Sequence, residues 1–445
     1  MERHNDPGGH RNGGFTSSLG FVIACVGSAV GLGNIWMFPY RLGQYGGAAF
    51  LIPYLLFVFL FGWVGLSAEF ALGRRAGTGT LGAYAHCFEA RGRRRAGSVL
   101  GWIPLLGSLG IAIGYAVIMG WVMRSLAGTV DGTLFRADPA GFFSQISGDF
   151  GNVFWHVFVV AVVCLILMFG VAKGIEKASK ILMPLFFVLF LLLAVWVAFL
   201  PGAEAGYQFL FVPDWSALLH VDTWVMAMGQ AFFSLSITGS GMIVYGAYLD
   251  RDADIPKSPV QTAVFDTLAA LLAALAIMPA VFAFGVAPAR GPSLIFVTLP
   301  SVFQQMPLGR LCAVFFFISV AFAGITSLIN MFEAVIESWQ HRFGVGRKPA
   351  VFICTAVTLA VGLFIESEPN VGKWLDFITI VVVPIGAVLG AVSVYYVLGF
   401  RTIRSELERG HGPLSRWFGP AAKWIYVPLT LLVLILGFVY PGGIG

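Results

Sequence analysis

The sequence predicts an all-α polytopic membrane protein: eleven transmembrane helices, ten of them in two inverted five-helix repeats, helices 1 and 6 broken, and helix 11 added outside the repeat. Three observations predict it. The 445 residues are 58% hydrophobic and 11% charged, with mean hydropathy +0.85, whereas soluble domains carry about 25% charged residues. Apolar runs near the ~20 residues that cross a bilayer fall at 18–41, 47–72, 97–126, 152–171, 181–200, 221–248, 259–287, 305–339, 350–365, 375–399 and 423–440. Two of these runs, the first and the sixth, are interrupted by small and polar residues. The expected division is a cytoplasmic arm over 1–14, a first repeat over 15–200, a second over 201–410, and helix 11 with the C-terminus over 411–445. The arm is polar and glycine-rich and lacks the basic, apolar and cleavage regions of a signal peptide.

Orientation follows from the basic residues. With the N-terminus in the cytoplasm, 21 of the 27 lysines and arginines lie inside, and Arg41, Arg124, Arg136, Arg290, Arg310 and Lys373 lie outside. An odd helix count then leaves the C-terminus external, in a multi-pass protein of the cell membrane. Topology accounts for the net charge of +5, so nucleic acid is not an expected partner. The five cysteines and seven histidines are scattered without metal-ligand spacing, which suits buried inert thiols.

Helix 1 contains Gly27-Ser-Ala-Val-Gly-Leu-Gly-Asn-Ile-Trp-Met-Phe-Pro39. Glycines, an asparagine and a proline in mid-membrane free backbone groups that lipid cannot satisfy. Such backbone is tolerated where it lines a cavity and binds ions or substrate. Helix 6 repeats the theme with Gly229-Gln-Ala-Phe-Phe-Ser-Leu-Ser-Ile-Thr-Gly-Ser-Gly241. Two interrupted helices five apart place the halves in opposite orientation, the geometry that alternating access requires.

These residues resemble the neurotransmitter:sodium symporter family in its bacterial amino-acid transporter branch, with its LeuT-type fold. The likeness rests on the helix 1 motif, Gly46-Gly-Ala-Ala-Phe-Leu-Ile-Pro-Tyr54, the Gly-Gln-x-Phe-Phe-Ser-Leu-Ser run at 229–236 and Phe-Ala-Gly-Ile-Thr-Ser at 322–327, and it covers nearly the whole chain. It implies two sodium sites. The first would use the Ala29 carbonyl, Asn34, Ser234 and Asp266; the second, carbonyls of Gly27, Val30 and Ala323 with hydroxyls of Thr326 and Ser327. Oxygen ligands of this kind suit a hard cation, and a carboxylate such as Asp266 is costly within a membrane unless it functions there.

The resemblance also implies where substrate binds. A carboxylate would meet the amides of Leu32 and Gly33, the Tyr115 hydroxyl and the first sodium. The amino group would lie near Ala29, Phe233, Ser234 and the Ser236 hydroxyl. Gly31 stands where monoamine carriers place an aspartate, so it favours a substrate that brings its own carboxylate. Ile111, Phe233, Ile237, Gly239 and Met331 would line the side-chain pocket, with Gly239 vacating the space that a phenylalanine fills in the branch's prototype. Chloride is not expected: Tyr54, Gln230 and Ser234 match a chloride site, but its fourth position is Ala270 and Asp266 already supplies negative charge.

For the gates, Phe233, Tyr115 and Asp376 match the external lid, but Met37 replaces its arginine, leaving water or Arg41 as partner for Asp376. At the cytoplasmic end Phe15 and Asn12, beside Arg11, replace a tryptophan and an arginine. Glu69 either braces the unwound part of helix 6 or reaches toward Arg74. Glu333 and Glu337 would line a cytoplasmic water path. The function so implied is sodium-coupled import of hydrophobic, aliphatic or aromatic amino acids by alternating access. No nucleophile–base constellation points to an enzyme. A proton-coupled carrier on the same fold and a non-concentrating receptor or channel stay open, and the sequence leaves the oligomeric state unspecified.

Overall fold

The computed structural model describes residues 14–250, 252–288 and 291–440. Among these, helical segments at the positions of the eleven expected spans follow in order. Helix 1 is a bent pair, Ser18–Ala29 and Gly33–Gln44, with 57° between its halves. Helix 2 (Gly47–Ala76), helix 3 (Arg94–Asp131), helix 5 (Val171–Ala198), helix 7 (Lys257–Ala283), helix 8 (Gly309–Phe343), helix 9 (Arg347–Phe364), helix 10 (Glu368–Leu407) and helix 11 (Phe418–Val439) are each long and apolar enough to span. Helix 4 is the shorter Val153–Met168, and helix 6 is two pieces, Val221–Ser234 and Gly241–Ala247. The chain is a multi-pass membrane protein.

Several helices outrun the apolar stretches that announce them. Helix 10 starts seven residues earlier than its run at 375, because Pro369 suits a first helical turn, where an N–H is not needed. It also carries a π-helical stretch at Ile378–Val382, directly before Pro384. A proline without an N–H invites such local rewinding. Short helices also lie between the spans, among them Thr80–Glu89, Pro139–Ile146 and the apolar Leu294–Gln305.

Helix 3 is the central post, with 94% of its most apolar window buried, and it packs along helix 8. Helix 5 is 33% buried by the same measure and leaves Leu185, Val188, Leu191 and Leu192 exposed, as a lipid-facing surface requires.

At the break in helix 1, Val30 turns extended with ψ 118. The Asn34 side chain then accepts the Gly31 N–H at 2.9 Å, satisfying one donor freed at the start of the second half. Between the halves of helix 6, Ser236 and Gly239 take left-handed φ values of 53° and 72°. The Ser236 hydroxyl donates to the Ser28 carbonyl at 3.1 Å, so the two breaks are tied to each other.

Candidate functional site

The first cluster forms where helices 1, 6 and 7 meet. Asp266 is fully buried. Its Oδ2 accepts the Ser234 hydroxyl at 2.5 Å, and its Oδ1 accepts the Asn34 amide at 2.8 Å. The same amide donates to Ser234 Oγ at 3.1 Å and to the Asp266 carbonyl at 3.2 Å. Three of the four residues expected at the first sodium site therefore touch one another, and Ala29 lines the adjoining cavity. The amide orientation differs from the expectation: Asn34 presents Nδ2 to Asp266 while Oδ1 faces Gly31. A cation there requires Oδ1 on that side instead, and oxygen and nitrogen exchange by an amide flip.

The second cluster lies between the first half of helix 1 and helix 8. Ser327 Oγ lies 3.3 Å from the Gly27 carbonyl, 3.4 Å from that of Ser28 and 3.0 Å from that of Val30. Thr326 Oγ1 donates to the Phe322 and Ala323 carbonyls, both at 3.0 Å. One hydroxyl proton faces three carbonyls here, so acceptor oxygens outnumber donors. Oxygens gathered in this way are the kind of ligand a hard cation takes. Gly27 is small by necessity, since a Cβ would lie 2.9 Å from Thr326 Cβ.

Between the clusters lies a cavity. Ala29, Gly31, Leu32, Gly33, Ile111, Tyr115, Phe233, Ser234, Ser236, Ile237 and Met331 all line it. One end is polar: the Leu32 N–H donates to the Tyr115 hydroxyl at 2.9 Å. The rest is apolar, with Ile111, Phe232, Phe233, Ile237 and Met331. Gly31 allows the close approach of helix 3, because a Cβ would stand 2.7 Å from the Tyr115 hydroxyl oxygen. Gly239 does not line this cavity, contrary to the sequence expectation. Its missing side chain leaves no space: a Cβ would lie 2.5 Å from the Gly386 carbonyl oxygen and 2.7 Å from the Tyr84 hydroxyl. Gly239 is a turn residue, and its N–H donates to Glu69 at 2.9 Å.

Sequence reasoning missed part of the wall. Asn330, Thr379, Ile380, Pro384 and, from helix 11, Val433 and Gly437 also face the cavity. The one available signal was Pro384, which marks the irregular turn of helix 10.

Above the cavity opens a vestibule of about 610 Å³ lined by Met37, Arg41, Glu368 and Asp376. Leu32, Gly33, Ile111, Tyr115, Phe233 and Thr379 line both spaces, so Phe233 and Tyr115 stand at the partition. Arg41 donates to Gln230 Oε1 at 3.0 Å, whereas Asp376 is exposed.

Toward the opposite end, Phe15 packs edge-on against Phe21, Tyr245 and Tyr248; Arg11 and Asn12 lie outside the described residues. The acids there are bound to donors. Glu333 is fully buried and holds Arg347 through two contacts of 2.9 and 2.7 Å, and it accepts the Tyr248 hydroxyl at 2.5 Å. Glu337 accepts the Thr78 hydroxyl and the Gly79 N–H. The expected water path is therefore replaced by a clamp, since each carboxylate has found donors on a neighbouring segment. Arg74 pairs with Glu406 at 2.7 Å, which leaves Glu69 to the helix 6 break.

Two interrupted helices crossing around an oxygen-rich, half-apolar cavity define a transporter of the LeuT-type fold. The sodium:neurotransmitter symporter family model matches residues 12–138 and 141–441, and the chain belongs to that family of sodium-coupled symporters. It is similar to the sodium-dependent transporter YhdH of Bacillus subtilis, 32% identical over 96% of this chain and 97% of the relative. A sodium-dependent transporter of Haemophilus influenzae is 30% identical over 78% of each chain. Among solved structures, MhsT in complex with L-phenylalanine is 34% identical, with a TM-score of 0.83 over 95% of this chain and 99% of that one.

Proposed function

We propose that this protein imports hydrophobic amino acids, aliphatic or aromatic, driven by two sodium ions and without chloride. The cavity carries this reading: one end is unwound backbone beside two oxygen clusters, and the rest is apolar. An α-amino acid has the matching halves. Its carboxylate would meet Leu32, Gly33 and Tyr115 and complete the first ion site with Asn34, Ser234 and Asp266. Its amino group would face Ala29, Phe233, Ser234 and Ser236. Gly27, Val30, Ala323, Thr326 and Ser327 would hold the second ion. The likeness to MhsT bound to L-phenylalanine supports this class of substrate. The buried Asp266 supports independence from chloride, since a second anion beside it would be repelled in a low dielectric.

The two halves, 15–200 and 201–410, would give alternating access, with helices 1, 2, 6 and 7 rocking against 3, 4, 8 and 9. Sodium favours the substrate-competent state only in so far as it binds the two states differently. The N-terminus would lie in the cytoplasm and the C-terminus outside, in the cell membrane. A binding screen of the twenty amino acids on purified protein, with sodium or potassium and with or without chloride, tests all of this. Sodium-dependent, chloride-independent binding of several hydrophobic amino acids is expected. Equal binding in potassium would overturn the proposal.

A further inference from the structure

At the vestibule end of helix 4 lies a group of buried polar side chains outside the ion and substrate cavity. Asn152 immediately precedes helix 4, His156 stands in its first turn, and Glu366 lies in the link between helices 9 and 10. Their exposures are 3%, 0% and 1%. Both amide atoms of Asn152 and both ring nitrogens of His156 are buried without a hydrogen-bond partner, and the buried Glu366 carboxylate has no side-chain donor, only the Asn152 backbone N–H close by. Such a gathering is exceptional, because buried polar groups are normally paired. His156 Nδ1 and Glu366 Oε1 stand 3.8 Å apart, just beyond a hydrogen bond.

The surroundings narrow what can occupy this place. Helix 3 approaches through Gly120, where a Cβ would lie 2.9 Å from Asn152 Nδ2. Helix 9 approaches through Gly362, where a Cβ would lie 2.5 Å from His156 Cε1. The imidazole is thus held close against Gly362, and the Asn152 amide and the His156 backbone against Gly120. One imidazole and one carboxylate fall short of the ligands zinc takes. Glu368, the next acid along, lines the vestibule. A proton adds no volume and pairs the two groups at once, converting a buried anion beside a base into a neutral, hydrogen-bonded unit.

We propose that His156 and Glu366 share one bound proton, and that this proton fixes the start of helix 10 and with it the vestibule wall. The link is short. Ser367 precedes helix 10, whose Glu368, Val371, Gly372, Leu375 and Asp376 line the vestibule, and the Glu368 N–H donates to the Ser147 carbonyl at 2.9 Å.

Linkage gives the sign. Unfolded histidine and glutamate release their protons near pH 6.5 and 4.3. Burial pushes the Glu366 carboxyl up to about 7, so the stability that comes from its retained proton is present at acid pH and is lost as pH rises through about 7. The test uses purified full-length protein in detergent. Its apparent melting temperature is expected to fall from pH 6 to 8, and to fall less in both Glu366→Gln and His156→Gln. A second readout follows helix 10 directly through Gly372→Cys, a position with open space around its Cβ. Its maleimide labelling rate, relative to the same cysteine in the Glu366→Gln background, is expected to change with pH. Parallel melting curves in all three proteins would overturn the shared proton and leave bound water as the occupant. A labelling ratio constant with pH would overturn the coupling to helix 10. If one substitution prevents folding, the other carries the comparison.

Discussion

Gly239 shows how one hydrogen atom in place of a side chain can mislead. In sequence it looks like vacated pocket space, yet its φ of 72° and the Gly386 carbonyl leave none. Gly239→Ala is expected to lower stability by about 1–3 kcal/mol, the usual cost of a strained backbone position, without changing which amino acids bind; denaturant titration and competition binding check the two halves. Asp266 is the opposite case, a residue whose chemistry is readable in advance. A carboxylate in mid-membrane must meet donors or a cation, and it meets Asn34 and Ser234. Asp266→Ala is expected to abolish sodium-dependent binding while leaving the protein folded, measured by binding in sodium against potassium.

The broken helices act as elements because other elements hold their loose ends. Glu69 of helix 2 takes the Gly239 N–H, and Ser236 of helix 6 reaches Ser28 of helix 1. At the cytoplasmic side in the proposed orientation, Glu333 of helix 8 is set by Arg347 of helix 9 and grips Tyr248 after the second half of helix 6. Tyr248→Phe removes one hydrogen bond to a charged acceptor, an interaction of about 1.5–3 kcal/mol. Labelling of a single cysteine introduced on that side of helix 6 is expected to rise in this variant, with sodium-dependent binding still present. Glu337→Ala is expected to keep sodium-dependent binding likewise, since its partners are Thr78 and Gly79 rather than the cavity. An unchanged labelling rate in Tyr248→Phe would remove the clamp from the mechanism.

For the molecule as a whole, the eleven apolar runs, the two breaks and their five-helix spacing are all readable along the chain. These follow from local physics: lipid tolerates apolar runs of a given length and penalises freed backbone groups, and both can be read along the chain. The residues gathered at the cavity were legible for the same reason, as small and polar groups in mid-membrane need partners. Tertiary structure alone decided the partners. Asn34 meets Asp266 across 232 positions, and Gly239 packs on Gly386, residues whose separation no periodicity encodes. It also brought helix 11 and the irregular turn of helix 10 to the cavity, buried Glu333 under Arg347, and set His156 beside Glu366. A span's existence depends on its own residues and the bilayer, whereas a polar contact depends on which helices pack side by side.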